Sequence, residues 1–254
     1  MEIVAIIQAR MGSSRLPGKV MKEILGKPML WHLINRIKRS DYIDKIIIAT
    51  SEKERDKPII ELAEDLGIDS YAGSEEDALD RYYQAAKEYI ADIVVRITAD
   101  CPLIDPKLVD RIISYYLANR DELDYVHSGL SFPDGIAECE VFSFSILEKA
   151  WKEARLASER EHVTPYIWKN PDIFRIDTVE NEDDLSYMRL VVDDEKDFLM
   201  VSEIICNLYK KDEIFHLQEI LDFLNRRPEL LELNKYTVRN EGYIKSTKED
   251  KIVK

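Results

Sequence analysis

Cysteine is scarce: Cys101, Cys139 and Cys206 stand far apart and form no C-x-x-C pair. That excludes a disulfide framework and a cysteine zinc site, and it fits a reducing compartment. No apolar run reaches the roughly 18 residues that a membrane-spanning helix needs. The opening EIVAIIQAR lacks the basic-then-apolar order of a signal peptide, so a cytoplasmic protein without a membrane partner is expected. Positive charge is also in deficit, with 36 Lys and Arg against 50 Asp and Glu and a net charge of -14. This argues against a broad nucleic-acid surface, which is built from many basic contacts. Internal repeats and low-complexity linkers are missing too, and 254 residues are compatible with one main domain.

What is present alternates between two periods. Residues 3–7, 45–50 and 92–98 are short runs rich in β-branched residues and read as strands, with residues 70–72 a shorter extended piece. Between them, Leu30, Leu33, Ile34 and Ile37 repeat at helical spacing, and residues 59–66 and 77–90 are helical. Ser74 and Asp77 have the S-x-x-D spacing of a capping box, and Asp105 with Pro106 marks another helix start. This alternation predicts an α/β fold with a mostly parallel sheet covered on both faces. After residue 120 the pattern loosens. Residues 125–126, 137–144, 174–177 and 190–192 read as short strands of mixed direction; residues 146–155, 158–168 and 195–209 read as helices, with Ser158 and Glu161 a second capping box. A helix with Ile214, Leu217, Ile220, Leu221 and Leu224 follows, and the last dozen residues are polar, as in mobile termini.

Against the acidic background, residues 6–19 read IIQARMGSSRLPGK, and no acidic residue occurs between positions 3 and 22. The loop after the first strand of an open α/β sheet is a common phosphate cradle. Gly12 permits close backbone approach, Ser13 and Ser14 offer donors, and Arg10, Arg15 and Lys19 supply charge. The loop is not a Walker A motif, because five residues separate Gly12 from Gly18 and Val20 follows Lys19 where Ser or Thr would meet magnesium. Asp100 and Asp193 each follow an apolar strand-like run, DIVVRIT and RLVV, so both can project toward one crevice. Taken alone, either could equally cap a helix or start a turn.

The string QARMGSSRLPGKV, followed by GKPML and IIIATSE, resembles the cytidylyltransferases that make CMP-activated sugar acids, most of all their spore coat polysaccharide biosynthesis (SpsF) branch. The likeness continues through GSEEDALDRYYQAA at 73–86, RITADCPLIDP at 96–106, FPDGIAECEVFS at 132–143, REHVTPYI at 160–167 and RLVVDDEKDF at 189–198. It implies a Rossmann-like nucleotidyltransferase fold, of the nucleotide-diphospho-sugar transferase kind, over residues 1–207, with residues 208–254 a helical extension and polar tail.

The resemblance also implies roles. CTP would lie with its triphosphate in the first loop, on Arg10, Gly12, Ser13, Ser14, Arg15 and Lys19, and with its base near Ala9. Gly73, Ser74, Asp77 and Arg81 match a second nucleotide-facing motif. Asp100 and Asp193 match the family's Mg²⁺ ligands, and Lys19, Arg10 and Asp100 are the expected catalytic residues. Asp134, Gly135, Arg160, Glu161, His162 and Thr164 fall where the family builds its pocket for a small acidic acceptor. The implied reaction is attack of an acceptor oxygen on the α-phosphorus of CTP, releasing pyrophosphate. Octulosonate synthetases have Q-G-D-E-P where this chain has TADCP, and sialate synthetases have Q-P-T-S-P-L there. A different sugar acid, an amino acid and a phosphonate therefore all stay open as acceptors. A nucleotide-sugar-dependent glycosyltransferase and a non-catalytic nucleotide-binding protein are the competing readings; the Lys19 loop speaks against the first, and Asp100, Asp193 and Lys19 together against the second. Cys101 has no adjacent base in the sequence and is read as structural. Most soluble oligomers are closed homo-oligomers, and a homodimer is expected.

Overall fold

Residues 3–7 are apolar without alternation because both faces of their strand are covered. In the computed structural model, which describes residues 1–13, 15–235, 237 and 239–253, Ile3, Ala5 and Ile7 join one core cluster, while Val4 and Ile6 join the other. Ser14, one of the expected phosphate-loop residues, lies outside the described residues.

The strands among the described residues are β1 (Ile3–Gln8), β2 (Glu23–Ile24), β3 (Lys27–Pro28), β4 (Lys45–Ser51), β5 (Asp69–Gly73), β6 (Ile93–Thr98), β7 (Tyr125–Ser128), β8 (Cys139–Ser143) and β9 (Ile176–Val179). The helices are α1 (Met29–Ile37), α2 (Lys57–Asp65), α3 (Ala78–Glu88), α4 (Pro106–Asn119), α5 (Phe144–Glu153), α6 (Ala157–His162), α7 (Pro165–Trp168), α8 (Glu195–Leu208), α9 (Leu217–Arg226) and α10 (Glu241–Lys248). Seven strands form one sheet in the order β5-β4-β1-β6-β8-β7-β9. Neighbours pair in parallel except at β8, which runs antiparallel to both β6 and β7. The sheet is thus the Rossmann-like, mixed but mostly parallel arrangement expected. Helices α1, α2, α4, α8 and α9 cover one face and α3, α5 and α7 the other. Ile6, Ile7, Ile47 and Ile48 are wholly buried, each contributing about 1.5–3 kcal/mol of apolar transfer.

Several local expectations shift. Asp77 caps α3 through Asp80 N at 2.9 Å, while Ser74 Oγ accepts from Asp77 N at 3.1 Å. The second capping box is displaced as well: α6 starts at Ala157, and Glu159, not Glu161, accepts from Leu156 N and Arg155 N. The helix expected over 158–168 divides into α6 and α7 at Val163, whose φ is +74°. Residues 190–192 form no strand; Arg189 makes an isolated bridge with Asp134, and Val192 N donates to Asp100 O at 2.8 Å. Past residue 207, Ile220, Phe223, Leu224 and Leu230 enter the larger core cluster. The polar C-terminus packs on α6, with Ala157 N donating to Lys251 O at 2.9 Å. No helix among the described residues is long and apolar enough to cross a membrane.

Candidate active site

The parallel strands β1, β4, β5 and β6 end on the same edge of the sheet, where open α/β folds bind ligands. Ala9, buried, continues the β1 ladder by donating to Ala49 O at 3.2 Å. The chain then turns because Met11 N is captured by Asp56 Oδ1 at 2.7 Å, and Asp56, wholly buried, is itself bonded by the Ser51 hydroxyl at the end of β4. Ser13 N and Gly18 N both donate back to Met11 O, at 2.9 and 3.0 Å. Leu16 and Val20 are buried beneath the loop, so it is a closed lasso on apolar anchors rather than a solvated turn. Gly18 has φ +69°, a conformation that favours glycine.

This lasso directs Lys19 inward. Its ammonium donates to Val192 O at 2.7 Å, Asp193 Oδ1 at 3.1 Å and Asp100 Oδ2 at 3.2 Å. Burial disfavours the charge on Lys19, but Asp100 and Asp193 outweigh burial and hold the ammonium above the usual lysine range. Burial likewise works against the Asp100 carboxylate, and Lys19 together with the hydrogen bond from Thr98 overcomes it, leaving the carboxyl below its usual range. Asp193 is also bound by Arg15 Nη2 at 2.9 Å and Arg189 Nη2 at 2.6 Å.

The second expected motif joins the first through Glu75. Arg10 Nη1 reaches Glu75 O at 3.4 Å, and the Glu75 carboxylate pairs with Arg55 beside Gly12. Arg81, on the first turn of α3, is wholly buried; it bonds Ser74 O, but its Nε and Nη2 have no hydrogen-bond partner among the described residues. Gly73 ends β5. Asp77 has two duties, capping α3 and binding Arg160 Nε and Nη2 at 2.9 and 2.5 Å.

The residues expected to hold an acceptor are gathered here, with different occupations. Arg160, buried, spends its guanidinium on Asp77 and on Trp151 O at 2.8 Å, clamping α6 to α3. Glu161 lies 4.0 Å from Arg10 Nη2. His162 is 3.0 Å from Ser246 Oγ; burial, with Arg96 and Arg10, outweighs Glu161 and holds the imidazole below the usual range, hence neutral near pH 7. Thr164, buried, starts α7. Asp134 is taken by Arg189 Nη1 at 2.8 Å and Arg239 Nε at 2.9 Å. Gly135 has φ +90°, and a Cβ there would lie 2.7 Å from Val191 Cγ2 and 3.0 Å from Val191 N, so glycine is what lets the segment carrying Asp193 pass close by.

Four residues go unforeseen in the sequence: Asp56, Arg55, Arg189 and Arg239. Only Asp56 leaves a local trace, as an acid just ahead of the Lys57-Pro58 start of α2. A polar row also crosses the sheet beneath His162. Arg96 pairs with Glu140 at 2.9 Å, and Gln8 Oε1, Arg96 Nε and Glu140 Oε2 are buried without hydrogen-bond partners among the described residues. Buried orphans of this kind call for a ligand or water.

The cytidylyltransferase family model matches residues 4–244, nearly the whole of this arrangement. The chain belongs to the cytidylyltransferase family. It is 41% identical over 247 residues to an uncharacterised protein of Methanocaldococcus jannaschii, covering 96% of this chain and 98% of that one. It is 30% identical over 234 residues to the spore coat polysaccharide biosynthesis protein SpsF of Bacillus subtilis, covering 90% and 96%. A solved cytidylyltransferase of Leptospira borgpetersenii superposes with a TM-score of 0.86 at 32% identity, over 95% of this chain and 100% of that one. A CMP:2-keto-3-deoxy-manno-octonic acid synthetase complexed with CTP shares the fold at a TM-score of 0.65 and 17% identity, over 82% and 100%. This cytidylyltransferase is accordingly a CTP-dependent enzyme of the SpsF-like branch. Its Cys101 is buried with the thiol pushed well above the usual range by burial and by Asp100, the opposite of what a nucleophile needs.

Proposed function

We propose that this cytidylyltransferase transfers CMP from CTP to a small acidic acceptor, a sugar acid or related compound, and releases pyrophosphate, as a cytoplasmic homodimer supplying surface polysaccharide or glycoconjugate precursors. The observation that carries the reading is the Lys19 ammonium at 3.2 and 3.1 Å from Asp100 and Asp193, with Arg10 and Arg15 at the mouth of the same loop. Three cations converging on one loop suit a triphosphate, whose charge a diphosphate or monophosphate does not match. The name of the SpsF relative supports the polysaccharide setting.

The donor set fits Mg²⁺. Among the described residues no three His, Cys, Asp or Glu side chains converge as a metal cage. Asp100 and Asp193 face one another across the Lys19 ammonium, at 3.2 and 3.1 Å, and two carboxylates completed by substrate oxygens and water is the way magnesium is usually held. Asp100 and Asp193 would hold it, and when bound it would neutralise charge on the phosphate oxygens. The chain's own groups do the rest. Arg10, Arg15 and Lys19 bind and orient the triphosphate, and Lys19 stabilises charge developing on the departing pyrophosphate. His162, kept neutral, would orient an acceptor hydroxyl or take its proton. The unpartnered Gln8, Arg96 and Glu140 atoms supply hydrogen bonds for an anionic, hydroxylated or aminated acceptor on the floor of the site.

The test is thermal shift with CTP, UTP, ATP or GTP plus Mg²⁺. A nucleotide at about 100 times its dissociation constant adds ~2.7 kcal/mol, which raises the midpoint by about 5–10 °C for a chain of this size. CTP alone should do so, and Lys19→Ala and Asp100→Ala should weaken it. If no triphosphate moves the midpoint, the loop is not a triphosphate site.

A further inference from the structure

α10 lies at the mouth of the site and buries none of its residues. Its place is set by the Tyr243 ring, which packs edge-on against His162 at 5.2 Å and Trp168 at 5.3 Å, and by polar contacts. The Glu241 carboxylate accepts from Arg15 Nη1 at 2.5 Å. Ser246 Oγ donates to Glu161 at 2.8 Å and meets His162 Nε2 at 3.0 Å. Beyond the helix the chain is fastened more firmly: Asp250 accepts from Ser158 N at 3.0 Å and from Ser158 Oγ at 2.6 Å, and Val253 N donates to Arg155 O at 2.9 Å. On the near side Arg239 is tied to Asp134. The segment is therefore a strap fixed at both ends, with Tyr243 and Ser246 seated on His162, Trp168 and Glu161 and with Glu241, the first residue of the helix, resting on Arg15.

The Glu241 to Arg15 contact is a solvent-screened pair, with side chains 60% and 38% exposed, and such pairs contribute little. A triphosphate in the loop offers Arg15 several negative oxygens in place of one carboxylate and can form the bidentate pairs that guanidinium favours. Asp193, the other partner of Arg15, is held by the buried Arg189 at 2.6 Å, so Glu241 is the partner that leaves.

We propose that α10 is a nucleotide-displaced strap: Glu241 occupies Arg15 in the free enzyme, an entering triphosphate takes the guanidinium from it, and the Glu241 end of α10 lifts from the loop while Ser246 and residues 250–253 stay fastened to α6. This rests on the triphosphate reading of the loop. Glu241 is then a built-in competitor that sets nucleotide affinity without touching the reacting atoms.

Amide hydrogen exchange of the full chain, with CTP and Mg²⁺ and separately with inorganic tripolyphosphate, tests it alongside CTP titration of Glu241→Gln. The expected result is faster exchange over the first turn of α10, residues 241–245, in the presence of either ligand and unchanged exchange over 250–253. Glu241→Gln should bind CTP about 2- to 5-fold more tightly, the fold-change corresponding to one surface ion pair, and should show fast exchange at α10 without ligand. CTP binding with slowed or unchanged exchange at α10, or Glu241→Gln binding CTP with the parent's affinity, overturns the strap and leaves the nucleotide reading standing. Release by tripolyphosphate but not by CTP supports the strap and overturns the CTP reading. Binding of neither ligand overturns both.

Discussion

Arg189 is the keystone of the carboxylate side of the site, and replacing it with Met should unfold the protein at a markedly lower temperature. Its guanidinium is 8% exposed and stands 2.6 Å from Asp193, 2.8 Å from Asp134 and 3.4 Å from Asp197. Asp197 is wholly buried and is also supported by Asp193 N at 2.9 Å, Asp194 N at 3.3 Å and Asn234 Nδ2 at 2.8 Å. Without the guanidinium, three carboxylates crowd together and Asp134 keeps Arg239 alone. Removing one partner from a buried charge cluster costs about 3–5 kcal/mol, mostly the penalty of the charges left behind. For a chain of this size that is a fall of about 6–20 °C in Tm. Arg189→Lys, a point charge that cannot fork among three carboxylates, should fall between parent and Met. Calorimetric melting at neutral pH measures both variants. A Met variant melting within about 2 °C of the parent, on the same scale of degrees per kcal/mol, would refute the argument that this cluster needs its arginine.

Three further outcomes are expected. Lys19→Ala should lower the rate of pyrophosphate release at least roughly 100-fold, equivalent to about 3 kcal/mol of transition-state stabilisation, while circular dichroism shows the parent fold; near-parent turnover would remove Lys19 from the chemistry. Gly135→Ala should cost about 2 kcal/mol or more in urea unfolding, since the new Cβ meets Val191 backbone in a left-handed conformation; an unchanged midpoint would mean that the segment yields. Glu138 is pushed up to about 7 by burial and by Asp134, against Arg239, from an ordinary value of 4.5. The folded state therefore binds this proton more tightly, and the stability it contributes is complete below 4.5 and declines as pH rises through 7. Glu138→Gln should gain in Tm relative to the parent across that window, and parallel pH profiles would dismiss the effect.

Much of the frame follows from local rules that the sequence obeys by itself. Runs such as residues 3–7 and 46–49 are short, apolar on both faces and rich in β-branched residues, which suits a covered parallel strand. Asp105 and Pro106 start α4 as their chemistry requires, Asp105 accepting from Lys107 N at 3.0 Å. The basic loop after β1 and Asp100 after β6 fall at one edge of the sheet because strands of one direction end together, whereas Asp193 is brought there by the Arg189 bridge to Asp134 and the Val192 N to Asp100 O bond. The tertiary structure alone decided the pairings between distant charges. Nothing near Arg160 in the sequence says that Asp77, 83 positions away, will hold it, nor that Arg189 and Arg239 will share Asp134. The polar C-terminus reads as solvated because it carries no apolar stripe, yet Asp250 supplies what the start of α6 lacks. Helical period and capping act within a turn of chain, so they are written locally. Charge pairing acts through space across chain segments that only the packed sheet and helices bring together.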